Sequence, residues 1–153
     1  MSTFSSTVWD RLIEPIHPSA GHQNPMRLSL AQYKRNIARD LEVLLNTRVA
    51  ILAEELAPYP ACRDSIVNFG LADFAKLCLT SSEERKEICD RLTAAIARHE
   101  PRLTQVRAHL VDETGMVNRL SFAISAQLRA LEDDDRVRFD VMLESSSLHY
   151  SIR

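Results

Sequence analysis

Glu100-Pro101-Arg102 sets a carboxylate and a guanidinium two residues apart across a proline. Pro101 biases Glu100 toward an extended backbone, in which positions i and i+2 point the same way. The two charges then face each other. A guanidinium fork matches a carboxylate with two parallel hydrogen bonds, so the chemistry on offer is bidentate recognition. The sequence predicts a partly exposed Glu100–Arg102 pair, a recognition point for another chain. The plainer alternative is that Arg102 neutralises Glu100 or caps the helix carbonyls beside it, where the dipole disfavours a carboxylate.

Other reactive residues form no constellation. His99-Glu100 begins like a zinc-protease helix, but Leu103 stands where the second histidine belongs and Pro101 interrupts the helix. His17, His22, His99, His109 and His149 share no metal-ligand spacing. Cys62, Cys78 and Cys89 are odd in number and form no C-x-x-C pair, so they read as core thiols in a reducing compartment. Gly21, Gly70 and Gly115 lie too far apart for a phosphate-binding loop. The acidic run Glu132–Asp135 reads as a solvated turn. The expectation is no metal, no cofactor and no catalytic residue.

Composition agrees with that restraint. The 153 residues make about one domain, and 45% hydrophobic with 26% charged residues is ordinary for a globular chain. A net charge of -2 argues against a nucleic-acid binder. No apolar run approaches the roughly 20 residues of a membrane span. Met1–Thr7 lacks the basic start of a secretory signal. The expected location is the cytoplasm, with no direct membrane insertion.

Two long helices must position the 100–102 junction. Ser29 and Gln32 fit a capping box, with Leu28 and Tyr33 as its hydrophobic staple. Tyr33, Ile37, Leu41, Leu44 and Leu45 then make one stripe, predicting a helix over 30–46 with Asn46 as a left-handed terminator. Ala50 to Leu56 is apolar enough for a further turn or two of helix, before Pro58 and Pro60. A second capping box at Ser81 and Glu84 opens a helix over 82–98, burying Ile88, Cys89, Leu92, Ala95 and Ile96.

The remainder alternates with period two. Runs at 104–111, 119–131, 137–144 and 148–152 predict a four-stranded antiparallel meander covered on one face by the two helices, an α+β fold. Open edges of such a sheet can recruit another strand. Residues 1–27 read as a leader with a Pro-rich loop, and 28–153 as the domain proper. In the leader, Phe4, Val8 and Leu12 recur every four residues beside Trp9, predicting a short amphipathic helix ending near Glu14.

Several blocks in order carry a resemblance. Glu100-Pro101-Arg102-Leu103 resembles the EPR motif of the phage baseplate wedge (gene 25-like) family, which includes the TssE-type baseplate subunits of bacterial type VI secretion systems. Trp9-Asp10-Arg11-Leu12 resembles its N-terminal segment. Asn36 to Arg48, with Arg39, Asp40, Leu44, Leu45, Asn46, Thr47 and Arg48, resembles its first long helix. Asn68 to Phe74, with Gly70, Leu71 and Asp73, resembles its turn, Phe69 and Ala72 standing for the usual Tyr and Pro. Leu120 to Ile124 resembles its strand.

The resemblance implies a structural, phage tail-like role. Such subunits sit with TssF- and TssG-type wedge subunits and other baseplate proteins at the inner face of the cell envelope. They link the baseplate to the contractile TssB/TssC sheath and start sheath assembly by strand-type contacts. Glu100, Pro101, Arg102, Trp9 and Leu12 are the expected partner-binding residues, and the 39–48 and 70–73 residues the structural motif. The alternatives are an anti-adapter-like regulatory binding protein of related fold and a lysozyme-like hydrolase.

Overall fold

Ser29 and Gln32 close a reciprocal pair of hydrogen bonds at the start of the first long helix, α1 (Leu30–Asn46). The Ser29 amide donates to Gln32 Oε1 at 2.9 Å, and the Gln32 amide donates to Ser29 Oγ at 3.3 Å. This is the predicted capping box, and the helix has the predicted limits. The computed structural model describes residues 4–5, 7–8, 12, 27–51, 53–72, 81–111, 119–130, 136–144 and 147–152. The chain divides into two units, Met1–Asp40 and Leu41–Arg153, with the boundary inside α1.

In the first unit, strand β1 (Phe4–Ser5) pairs antiparallel with β2 (Arg27–Leu28), Phe4 opposite Leu28. Phe4 also stacks on Tyr33, with ring centroids 4.6 Å apart. Phe4, Leu28 and Tyr33 are all buried. The predicted Phe4–Val8–Leu12 helical stripe therefore does not form. Phe4 is a strand residue, because stacking on Tyr33 and pairing with Leu28 bury it better than one turn of isolated helix could. Val8 and Leu12 are helical but exposed, at 73% and 71%. Trp9 and the rest of the predicted leader helix lie outside the described residues.

The second unit opens with the C-terminal part of α1, where Leu41, Leu44 and Leu45 are buried. The extra helix expected at 50–56 does not form among the described residues, of which 53–58 are turns. Pro58 and Pro60 lie too close for α-helical hydrogen bonding to extend. A short helix α2 (Pro60–Arg63) and a 3-10 turn (Ile66–Asn68) follow.

Helix α3 (Ser82–His99) buries Ile88, Cys89, Leu92, Ala95 and Ile96, the predicted face. Its predicted capping box does not form. The Ser81 side chain makes no capping bond; its backbone carbonyl accepts the Arg85 amide at 3.0 Å. Glu84 turns Oε2 inward, where it is buried. Glu83 and Glu84 still place negative charge at the positive helix end.

Four strands then form an antiparallel meander in the order β3 (Leu103–Val111), β4 (Arg119–Leu128), β5 (Arg136–Glu144) and β6 (His149–Ile152). Buried Val137, Phe139, Val141 and Leu143 alternate with exposed or half-buried neighbours along β5. On β4, Phe122, Ile124, Ala126 and Leu128 are buried, but so is Ala123, and the alternation is clean only from Ile124 onward. Burying each such side chain contributes about 1.5–3 kcal/mol, which fixes the register. The α+β class and the meander are those predicted, with strand limits moved by three residues or fewer. The acidic run Glu132–Asp135 lies outside the described residues.

Candidate functional site

The Glu100–Arg102 segment is a β-turn that joins α3 to β3. The Glu100 amide closes α3 on the Ile96 carbonyl at 2.8 Å, and the Glu100 carbonyl accepts the Leu103 amide at 3.1 Å. Pro101 thus occupies the second turn position, where its fixed φ is favoured. The Glu100 side chain folds back over the turn. Its Oε1 accepts the Arg102 backbone N–H at 3.2 Å and Arg102 Nε at 2.6 Å. Its Oε2 accepts Arg102 Nη2. The Arg102 carbonyl in turn accepts the Arg129 amide at 2.9 Å, linking the turn to the far end of β4.

Burial overturns one expectation here. Both residues are expected to be partly exposed; Arg102 is, with 15% of its side chain exposed, but Glu100 is buried at 4%. Pro101 forms the exposed crest of the turn instead. The reason is local: Oε1 satisfies a turn amide, which draws the carboxylate and its guanidinium inward.

Immediately after the turn, β3 carries a bulge. Pairing shifts register between Thr104 and Arg107, and Gln105 has a φ of 50°. The extra residue lets both Leu103 and Val106 be buried although they are three apart.

A second cluster joins the end of α1 to β6. Asn46 Nδ2 donates to the Tyr150 carbonyl at 2.8 Å and to the Glu42 carbonyl at 2.9 Å. Asn46 Oδ1 accepts the Tyr150 amide at 2.9 Å. The expected left-handed terminator role of Asn46 is corrected accordingly: among described non-glycine residues only Gln105 and Leu148 have positive φ. Asn46 stays helical because its amide is used across the fold.

Arg48 Nη2 donates to the Leu148 carbonyl at 2.9 Å and Nη1 to the Leu45 carbonyl at 3.1 Å. Thr47 Oγ1 donates to the Val43 carbonyl at 2.7 Å. The Leu71 amide donates to the Thr47 carbonyl at 2.8 Å, and the Val49 amide to the Leu71 carbonyl at 3.0 Å. Gly70 has a φ of 119° at this crossing. On α1 in the first unit, Arg39 Nη2 bonds Asp40 Oδ1 at 3.1 Å. Asp73 lies outside the described residues.

His99 connects the two clusters. Its Nε2 donates to the Asn68 carbonyl at 2.9 Å, and its ring meets Phe69 edge-on at 5.3 Å. Burial lowers its pKa below the usual histidine value, partly offset by that hydrogen bond. Nothing in the sequence spacing of His99 and Asn68 foretold this contact.

The sheet edges are not open in the way the sequence suggested. At the β3 edge, Thr93 Oγ1 accepts the Ala108 amide at 3.1 Å. One turn earlier on α3, Cys89 faces the Leu110 backbone; desolvation pushes its thiol pKa up against the smaller pull of that hydrogen bond. At the β6 edge, Asn46 takes both Tyr150 backbone groups. Helix side chains cover these strand groups because a bare ladder invites uncontrolled pairing.

A family model for baseplate wedge protein gp25 matches residues 31–133. The chain belongs to that family. The match contains the end of α1, the 68–71 crossing and the Glu100–Arg102 turn, so all three belong to the wedge-family region. No curated protein matches the sequence. Among solved structures, the chain is similar to a crystal structure from Geobacter sulfurreducens described as a proposed tail lysozyme, with 18% identity and a TM-score of 0.50. The alignment covers 78% of this chain and 95% of that one. At that identity the likeness shows the fold alone.

Among the described residues, no group of three His, Cys, Asp or Glu side chains converges as a metal site. No described helix is long and apolar enough to cross a membrane.

Proposed function

We propose that this wedge-family chain is a non-catalytic structural subunit of a type VI secretion baseplate, of the TssE type. It binds TssF- and TssG-type subunits, links them to the contractile TssB/TssC sheath, and starts sheath assembly by strand-type contacts at the cytoplasmic face of the envelope. The observation that carries this reading is the use of the chain's polar residues within the wedge-family region. Asn46, Thr47, Arg48 and Glu100 all bind the chain's own backbone through their side chains, and Arg102 binds the Glu100 carboxylate. They build a rigid part.

The partner-facing role falls, in this reading, to the surface these residues support. Pro101 stands at the crest of the turn, and Leu12 is exposed on the leader. Glu100 and Arg102 hold that crest in shape, and Trp9 and Leu12 contact the partner. Residues 1–27 act as a leader to the 28–153 wedge domain.

A lysozyme-like activity is the less favoured reading. A glycosidase needs a carboxylic acid free to protonate the leaving oxygen. Glu100, whose side chain is 6% exposed, has both oxygens taken by Arg102 and is not free in this way.

Affinity purification of the tagged full chain from its native cells tests the proposal. Recovery of TssF- and TssG-type subunits in stable stoichiometry is the expected result. Their absence, together with peptidoglycan turnover by the purified protein, contradicts it.

A further inference from the structure

Asn46 imitates one residue of a neighbouring strand. A strand added beside β6 would present an N–H and a C=O to the outward-facing groups of Tyr150. The Asn46 amide already supplies that pair, as donor at 2.8 Å and acceptor at 2.9 Å. Arg48 takes the next outward carbonyl, that of Leu148, at 2.9 Å. Tyr150 lies opposite Leu143 of β5, and Ile152 opposite Val141. Because Tyr150 turns its backbone groups toward Asn46, Ile152, two residues on, turns its own to the same side. The outward ladder of β6 therefore runs Leu148 carbonyl, Tyr150 amide and carbonyl, then Ile152. Asn46 and Arg48 cover the first three groups.

Two further features mark this as a closed gate. Leu148 holds a φ of 52°, a region in which a branched residue is strained, and remains 38% exposed. The second Nδ2 hydrogen of Asn46 is spent on the Glu42 carbonyl, so the gate is anchored to the last turns of α1.

We propose that the Asn46 amide is a gate on the β6 edge, and that an extended segment of a sheath subunit enters by displacing it from Tyr150. The inference rests on the strand-type contact in the proposed function and assigns that contact to one edge. The incoming backbone replaces the two Asn46–Tyr150 hydrogen bonds in kind and gains the Ile152 groups in addition. No bond is formed or broken covalently. The gate keeps β6 from pairing with wrong partners while the subunit is free.

The test uses the full chain and purified cognate sheath subunits as the probe. Affinity is measured for the wild type, Asn46→Ala and Asn46→Asp, and amide hydrogen exchange is followed at Tyr150 and Ile152 in the wild-type complex. Asn46→Ala leaves the sheath segment nothing to displace and should bind about tenfold more tightly. Asn46→Asp loses the donor to the Tyr150 carbonyl but keeps an acceptor for its amide, and should tighten binding less. In the wild-type complex the Ile152 amide should become protected, and the Tyr150 amide should remain so. Wild-type binding that neither folded variant tightens, or that leaves Ile152 unprotected, overturns the gate and leaves the proposed function standing. If Asn46→Ala does not fold, Asn46→Asp and the exchange data decide. Failure of the sheath subunits to bind any of the three proteins overturns the proposed link to the sheath, and the gate with it.

Discussion

Gly70 is pressed against the backbone of Thr47: a Cβ at position 70 would lie 2.5 Å from the Thr47 carbonyl oxygen. That oxygen cannot move away, because it accepts the Leu71 amide at 2.8 Å. The φ of 119° excludes ordinary side chains independently. Gly70→Ala should therefore destabilise the protein by about 3 kcal/mol through strain and overlap. Urea unfolding of the purified variant measures this. An unchanged midpoint would show that the 47–71 crossing does not hold the domain.

The Glu100–Arg102 pair, with its carboxylate buried, makes a different prediction. Arg102→Ala leaves a carboxylate unpaired in a site with little access to water, at a cost of about 3–5 kcal/mol. The melting temperature should fall by on the order of 10 °C. Glu100→Gln/Arg102→Ala should recover part of that loss, since the stranded charge is gone. Thermal melts of the two single variants and the double variant give the coupling directly.

The turn itself is legible in the sequence; the burial of Glu100 is not. Periodicity placed α1, α3 and the meander within three residues, because apolar stripes and alternation report which face is buried. Exposure of Glu100 depended on where its oxygens could bond, and the nearest donors were the Arg102 amide and guanidinium of its own turn. The Ser29–Gln32 and Ser81–Glu84 patterns look alike, yet only the first closes, so the pattern alone does not decide which way the side chains turn. The Asn46–Tyr150 and His99–Asn68 contacts span long stretches of chain and left no local spacing to read. Spacing from Val8 puts Phe4 on a helical stripe, whereas Tyr33 and Leu28 decide its place.

Stability should depend on pH through His99. Its folded pKa is lowered, so below about pH 6.5 the unfolded chain binds a proton that the folded one resists. The contribution is fully present above that pH and declines as the pH falls through it toward the folded value. His99→Gln should flatten the unfolding free energy between about pH 7 and 5.5. At the alkaline end, burial raises the Tyr150 pKa to about 12. The unfolded tyrosine ionises first, near pH 10, so stability should fall again from about pH 10 upward. Denaturant titrations across both ranges check the two slopes, with Tyr150→Phe removing the alkaline one.

Sheath assembly in living cells tests the central claim most directly. In a strain lacking this chain and carrying a fluorescent sheath subunit, the account predicts that extended sheaths no longer form on the baseplate and that the wild-type gene restores them. Sheaths that assemble at normal number and length without the chain would contradict its role as the structural link between baseplate and sheath.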